Sequence, residues 1–442
     1  MRGLMWFTND LRLQDNEALC AAIRECSTLL CVYCVNPSEL KSNAFDCQRL
    51  GPHRQGFIRQ SLESLKASLQ ALGQSLLIVE GSPSRRIAAL CQQFGIDRVY
   101  TADPLGSDER RQLDSLTKII GKERVSTHNQ YSMFGSEQHA QTFVDGKFPA
   151  SFSKFRKLMG SQTLSPPTPE PADLPPPLLG HWLAPDPLNA FLQHPAKTRA
   201  HPRFTGGESE AWHQIEQYFA SRAASDYKNT RNQLEGEYFS SQWSPWLASG
   251  CVSARSLAAR LRQYEREHGS NDSTKHLYTE LLWRDFFHAY SRFYGSRLFH
   301  FGGIADRKPL TTFYPQRFMQ WRTGTTPWPL VNAAMHELCE TGYTSNRSRQ
   351  ILASCLVNEY QCDWRAGAWW FQHQLIDHDV ASNWGNWQYI AGVGADTRGG
   401  RHFDLEKQTR LYDPDQTFIQ RWQGEQGYAA MDTVDAADGP IG

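Results

Sequence analysis

The run Leu76-Leu77-Ile78-Val79-Glu80-Gly81-Ser82-Pro83 leads into Ile87, Leu90, Cys91 and Phe94, and then into Gly95-Ile96-Asp97-Arg98-Val99-Tyr100-Thr101. Four apolar residues in a row read as a buried strand. Ser82-Pro83 reads as a helix start, with Pro at the first helical position, where no N–H is needed. The spacing of Ile87, Leu90, Cys91 and Phe94 buries one helical face, and Gly95 is a C-terminal stop. Arg98–Thr101 is then a second strand. A strand, a crossover helix and a further strand form a parallel pair. The same alternation extends in both directions. Strands are expected at Leu4–Phe7 and Leu29–Val35. A helix carrying Ile58, Leu62, Leu65, Leu69 and Leu72 stops at Gly73. A helix over 108–120 stops at Gly121, and Val125–Thr127 is a last strand. Residues 1–130 therefore form an α/β, Rossmann-like domain with a parallel sheet between helices. The first strand runs into Phe7-Thr8-Asn9-Asp10-Leu11-Arg12-Leu13 and not into G-x-G-x-x-G. The usual dinucleotide cradle is absent.

The chain has 442 residues, enough for two or three domains. Its 46 Lys+Arg and 46 Asp+Glu balance, which excludes a polybasic nucleic-acid binder but leaves room for a local basic patch. No apolar run approaches membrane-spanning length, and the polar N-terminus lacks a signal-peptide core. The expected location is the cytoplasm, with no membrane partner. The ten cysteines are scattered, and Cys31 and Cys34 sit in an apolar strand as buried thiols. No Cys/His set completes a metal site. Twelve of the 14 Trp lie after residue 200. Residues 201–442 hold 24 Lys+Arg and 27 Asp+Glu, a net of −3, leaving +3 for residues 1–200. Nine Pro between 161 and 187 mark an interdomain linker, placed at 131–202, that crosses the surface without pairing as sheet. Residues 203–430 read as an all-α domain, with helices near Ala211–Ser221, Ser253–Glu267 and Lys275–Phe293, and 431–442 as an acidic tail.

Four segments of the helical half carry unusual chemistry. Tyr227-Lys228-Asn229-Thr230-Arg231 precedes Ser240-Ser241-Gln242-Trp243-Ser244-Pro245-Trp246, a hydroxyl-rich loop that is either a phosphate cradle or an ordinary capped turn. Glu280, Trp283 and Arg284 share a helix face, as a surface ion pair or as a site. Asn346, Arg349 and Gln350 share another, behind Ser345 as a cap. Asp377-x-Asp379 leads into Asn383-Trp384-Gly385-Asn386-Trp387-Gln388-Tyr389. These carboxylates accept hydrogen bonds from a polar ligand, cap a helix, or hold a hard metal; no oxygen-ligand loop comes after them to favour the metal.

Taken together and in order, these segments resemble the photolyase/cryptochrome family, specifically its cryptochrome-DASH branch. Trp6 through Asn16, Gly51-Pro52-His53-Arg54, Phe204-Thr205-Gly206-Gly207-Glu208-Ser209 and Met431-Asp432-Thr433-Val434 carry the same resemblance. It implies FAD in the helical domain. Ser240, Ser241, Gln242, Trp243 and Ser244 would line its phosphates with Tyr227 beside them. Glu280, Arg284, Asn346, Arg349, Asp377 and Asp379 would surround the rest, with Arg349 and Asp377 paired at the ring and Asn383 facing flavin N5. Trp387 and Trp364 match the inner members of an electron-carrying Trp chain. The outer position aligns with Thr311, so Trp321 or Tyr314 stands in for it. The resemblance further implies a lesion pocket in which Trp283 and Tyr389 sandwich a pyrimidine dimer. Asn346, Glu280 and Gln350 would meet its polar edges, and Arg231 and Arg347 the flanking phosphates. Tyr389 and Gln350 stand where other photolyases carry Trp and Met. Glu109 matches a contact to a folate antenna, methenyltetrahydrofolate. The implied activity is light-driven repair of cyclobutane pyrimidine dimers, with single-stranded DNA preferred. The alternative is a blue-light photoreceptor with a signalling partner.

Overall fold

The computed structural model describes residues 1–135, 147–149, 151–160, 162–178, 204–395 and 400–425. The first half alternates as its apolar pattern requires. The elements are β1 (Arg2–Phe7), α1 (Glu17–Glu25), β2 (Thr28–Val35), α2 (Pro52–Ala71), β3 (Leu76–Glu80), α3 (Pro83–Phe94), β4 (Arg98–Ala102), α4 (Ser107–Ile120) and β5 (Val125–His128). The strands are all parallel in the order β3-β2-β1-β4-β5. Buried residues line both faces: Met5, Phe7 and Cys31 pack on one side, Leu4, Trp6, Leu30 and Val32 on the other. Gly95 ends α3 in the left-handed conformation that a Cβ disfavours. Ser82 occupies the N-cap position of α3 but makes no capping hydrogen bond; its hydroxyl turns to Gln112 Oε1 at 3.3 Å. Cys31 is fully buried and Cys34 half-buried, both as free thiols.

Part of the segment expected as linker is structured. Helix α5 (Phe152–Met159) buries Phe155 and Met159. The Pro-rich stretch also pairs with the sheet, contrary to expectation. Leu29 N–H donates to Pro176 O at 3.1 Å, and Leu178 N–H donates to Leu29 O at 3.1 Å. Pro177 itself is bridged to Leu29 without contributing a donor, so the ladder runs through its neighbours' groups. The site is available because β3 begins pairing only at Cys31. Trp182 and the 431–442 tail lie outside the described residues.

The second half is helical: α6 (Glu208–Ala220), α7 (Tyr227–Thr230), α8 (Ser244–Ser249), α9 (Ala254–His268), α10 (Asp272–Tyr294), α11 (Pro315–Thr323), α12 (Pro329–Thr341), α13 (Asn346–Ser354), α14 (Trp364–Gln374), α15 (Val380–Ile390), α16 (Leu405–Tyr412) and α17 (Thr417–Arg421). Among the described residues, no helix is long and apolar enough to cross a membrane.

The loop after β1, where a phosphate cradle would sit, instead joins the two domains. The fully buried Arg12 guanidinium donates to the carbonyls of Asp15 at 2.9 Å, Gln130 at 3.1 Å and Gly250 at 3.0 Å. Asp15 accepts Arg255 Nε at 3.1 Å, and Glu208 accepts the backbone N–H groups of Leu13 at 2.8 Å and Gln14 at 3.1 Å. Gly250, with φ +73°, lies so close to the chain that a Cβ would come within 1.9 Å of Asn9 O.

Candidate flavin site and interdomain cavity

Three helix starts converge in the helical domain. The 240–244 loop enters α8, with Gln242 in the left-handed region at φ +53°, a conformation held for a non-glycine only where surroundings dictate it. Ser244 Oγ donates to Asp377 Oδ2 at 2.6 Å. Arg349 Nη2 donates to the same oxygen at 2.8 Å, while its Nε donates to Thr344 O at 3.0 Å. Ser345 caps α13 by accepting Ser348 N–H at 3.1 Å and so sets the phase that turns Arg349 toward Asp377. Asp377 Oδ1 is buried and has no partner, as is Trp243 Nε1. An unpaired buried carboxylate oxygen is costly, so it marks a place where a donor from outside the chain is missing.

Asp379 is bound up differently. Its Oδ1 accepts Ser382 N–H at 2.7 Å as the N-cap of α15, and its Oδ2 takes His288 Nε2–H at 2.8 Å. Burial opposes its charge. The His288 ring, the nearby Arg284 and the cap outweigh that penalty and hold the carboxyl far below its usual range. Burial keeps His288 neutral, lowering it to about 4, and its unpartnered Nδ1 fits an uncharged ring. Asp379 thus builds the site's framework. Arg284 does the same: its guanidinium donates to the carbonyls of Tyr131 and Leu247 and ties α10 to the β5 exit and α8.

Asn383, nearly buried on α15, donates its amide to Ala368 O at 3.0 Å, which leaves its carbonyl oxygen as an acceptor. One turn on, Trp387 is 2 % exposed and lies 6.2 Å from Trp321 and 5.1 Å from Phe371, ring to ring. Trp364 packs against Trp384 at 5.8 Å, and Trp384 against Trp369 at 5.4 Å. Trp321 is fully buried, whereas Tyr314 lies under Arg317 and is partly exposed.

The residues matched to a lesion pocket are less free than the sequence implies. Glu280 Oε1 accepts Arg231 Nη1 at 3.1 Å; His276 Nε2 lies 3.1 Å from the same oxygen without a hydrogen bond. Arg347 Nη2 donates to Asn232 at 2.9 Å. Tyr389 Oη accepts Arg401 Nε at 3.0 Å. Trp283 is stacked on Phe152 of α5 at 3.6 Å with planes 9° apart, so that one face of its ring is covered. Asn346 is exposed, Gln350 is half-exposed, and Tyr227 is buried.

Glu109 belongs to a second place, a cavity of about 1190 Å³ between the domains at the C-terminal ends of β1, β2 and β4. Open parallel sheets bind ligands at that end. Glu39, Glu109, Arg54 and His378 line it within electrostatic reach of one another, and Trp369 and Trp384 line it too. Burial, together with the charge of Glu109, pushes the Glu39 carboxyl up to about 7. Arg54 Nη1 and His378 Nδ1 are buried without partners. Trp369 faces this cavity as well. Sequence reading missed Glu39, Arg54 and His378 as site residues: the fold of the first domain brings Glu39 and Arg54 to Glu109, and the packing of the second domain adds His378.

Residues 3–173 match the family model for DNA photolyase, and residues 277–433 match the model for the FAD binding domain of DNA photolyase. The fold and site therefore define a two-domain, FAD-binding protein of the photolyase type. The orphaned Asp377 oxygen, the Arg349 guanidinium and the hydroxyl-rich loop suit a group with N–H donors at one end and phosphates at the other. The chain is 45% identical over 441 residues to a cryptochrome DASH of Vibrio parahaemolyticus, covering 99% of this chain and 97% of that one. It is 42% identical to one from Idiomarina loihiensis, with 99% and 96% covered. The Synechocystis cryptochrome structure aligns with a TM-score of 0.89 at 36% identity, over 96% of this chain and 88% of that one. The chain belongs to the photolyase/cryptochrome family, in its cryptochrome-DASH branch.

Proposed function

We propose that this chain is a cytoplasmic, blue-light-driven lyase that repairs cyclobutane pyrimidine dimers, preferentially in single-stranded DNA. Methenyltetrahydrofolate would sit as antenna in the interdomain cavity. The observation that carries the reading is the unpartnered Asp377 Oδ1 beside Arg349, an acceptor set where the family places the flavin. FAD, when bound, supplies the light-driven one-electron chemistry. The chain binds and orients. Ser240, Ser241 and the start of α8 at Ser244 would line its phosphates, Asp377 would accept an N–H, and Asn383 would offer a neutral carbonyl oxygen. Trp387, Trp364 and Trp321 are buried, oxidisable indoles at the back of the site. Glu109 and Glu39 would meet the donor edge of a pterin in the cavity.

Strand preference follows from charge. Extracting a lesion from a duplex costs about a few kcal/mol, which phosphate contacts must offset. Residues 201–442 have a net charge of −3, and Arg231, Arg347 and Arg401 already hold protein partners. Tyr389 also offers a smaller stacking face than Trp. Single strands avoid the extraction cost. The test measures repair of one dimer in single-stranded and duplex oligonucleotides at one salt concentration and light dose. Faster repair of the single strand is expected. Equal rates remove the strand preference. No repair by FAD-loaded protein on either substrate favours a photoreceptor with a signalling partner.

A further inference from the structure

Two rows of rings lead away from Trp387. The first is short. Trp321 lies 6.2 Å from Trp387, ring to ring, and is fully buried. The other rings packed on it are Phe318 at 6.0 Å and Phe371 at 6.1 Å. Phenylalanine is far harder to oxidise than tryptophan, so a positive charge that reaches Trp321 can only return to Trp387. Tyr314 does not extend the row: among the described residues its ring meets only the Arg317 guanidinium, 4.3 Å away.

The second row leads out of the core. Trp384 stands three residues before Trp387 on α15, and side chains at that spacing are neighbours on a helix. Trp364 meets Trp384 edge to face at 5.8 Å, and Trp369 meets it in the same way at 5.4 Å; both are on α14. Trp364 and Trp384 are buried, while Trp369 is half-buried. Trp384 and Trp369 line the interdomain cavity. The indole N–H groups change along the row as well. Trp364 Nε1 donates to Phe301 O at 3.0 Å, and Trp384 Nε1 to Gln372 Oε1 at 3.2 Å. Among the described residues Trp369 Nε1 has no hydrogen-bond partner, and unlike the orphaned Trp243 Nε1 it is open to solvent. The Arg49 guanidinium, paired with Asp108, lies 5.6 Å from the Trp369 ring. A cation there disfavours an indole radical cation and favours loss of its N–H proton to water.

We propose that Trp384 and Trp369 are the outer electron carriers of flavin photoreduction in this chain, and that a soluble thiol refills them from the interdomain cavity. The inference rests on the assignment of FAD to the helical domain and of Trp387 as its donor. Trp387 gives one electron to the light-excited flavin and is left as a radical cation. Trp384 returns one electron to Trp387, and Trp369 returns one to Trp384. Trp369, now the oxidised ring, releases its Nε1 proton to cavity water and becomes a neutral radical. The thiol gives that radical one hydrogen atom, an electron with its proton, and leaves as a thiyl radical. In sum one electron passes from thiol to flavin, one proton passes to water, and every indole is restored.

The experiment illuminates FAD-loaded full-length protein with blue light at limiting dithiothreitol and follows the loss of oxidised-flavin absorbance. Trp384→Phe and Trp369→Phe are each expected to slow photoreduction at least about fivefold. Trp370→Phe is the control, because Trp370 Nε1 turns away to Met335 Sδ at 3.2 Å; it is expected to match the parent. A second readout maps the radical itself: protein illuminated with a nitroso spin trap and no thiol is digested, and the adduct is located by mass spectrometry. The adduct is expected on Trp369. A parent rate in W369F, an equal loss in W370F, or no adduct on Trp369 overturns the proposal while leaving the FAD and Trp387 assignments intact. Photoreduction at the parent rate in Trp387→Phe defeats the donor assignment and the proposal together, as does a parent that binds no FAD. Should W384F not fold, W369F and the trap map decide, since Trp369 is half-buried at the cavity.

Discussion

Replacing Gly367 with Ala adds one methyl group against the Trp387 ring. Gly367 lies inside α14, and a Cβ there would fall 2.2 Å from Trp387 Cη2 and 2.6 Å from Leu356 Cδ2. Carbon atoms pack at roughly 3.5–4.0 Å, so the indole must retreat by more than about 1 Å. It has nowhere to go: it is 2 % exposed and walled by Phe371 at 5.1 Å and Trp321 at 6.2 Å. Overpacking of this kind costs about 1–3 kcal/mol, and a forced shift of a whole ring belongs at the upper end. Ala gains about 1 kcal/mol over Gly in a helix interior. The strain wins, leaving a net loss of about 2 kcal/mol. Gly56, inside α2, is the control, since a Cβ there meets nothing within 4 Å. The same substitution at Gly56 should stabilise by about 0.5–1 kcal/mol. Urea denaturation of the FAD-loaded protein measures both, with the midpoint falling for G367A and rising for G56A at unchanged slope. A G367A protein as stable as the parent would mean that the Trp387 ring is free to move, and the packing argument would fail.

Two further outcomes test the site. Trp387→Phe keeps most of the packing but removes an oxidisable indole, so flavin photoreduction should slow by at least about tenfold with FAD still bound; Trp321→Phe, removing the next ring 6.2 Å away, should slow it as well. Photoreduction at the parent rate in both variants would place the electron route elsewhere. Asp377→Asn leaves Arg349 facing a neutral amide; breaking a buried pair costs about 3–5 kcal/mol, and less here because the Arg349 side chain is 23 % exposed. The purified variant should carry far less FAD than the parent, judged by the ratio of flavin to protein absorbance, and full occupancy would refute the role given to Asp377.

Local pattern makes the α/β half legible from the chain alone. The five parallel strands, their crossover helices, and the stops at Gly95 and Gly121 arise from apolar periodicity and from residues that tolerate special backbone angles. The Ser345 cap and the shared face of Asn346, Arg349 and Gln350 are legible too, because a helix sets its own spacing. The motif after β1 was legible as something other than a phosphate cradle, but that it joins two domains required Gly250 and Arg255, more than 230 residues away, to be brought against it. The Pro-rich stretch pairs with β2 only because β3 stops short of Leu29, which no reading of prolines reveals. Asp377 and Asp379 look equivalent in sequence; tertiary structure leaves one with an open oxygen and closes the other with His288 and a helix cap. The cluster of Glu39, Glu109 and Arg54 is likewise a product of packing. Burial and long-range contact decide which charges are paired, which are neutral and which are left open, and these quantities depend on distance in space rather than on separation along the chain.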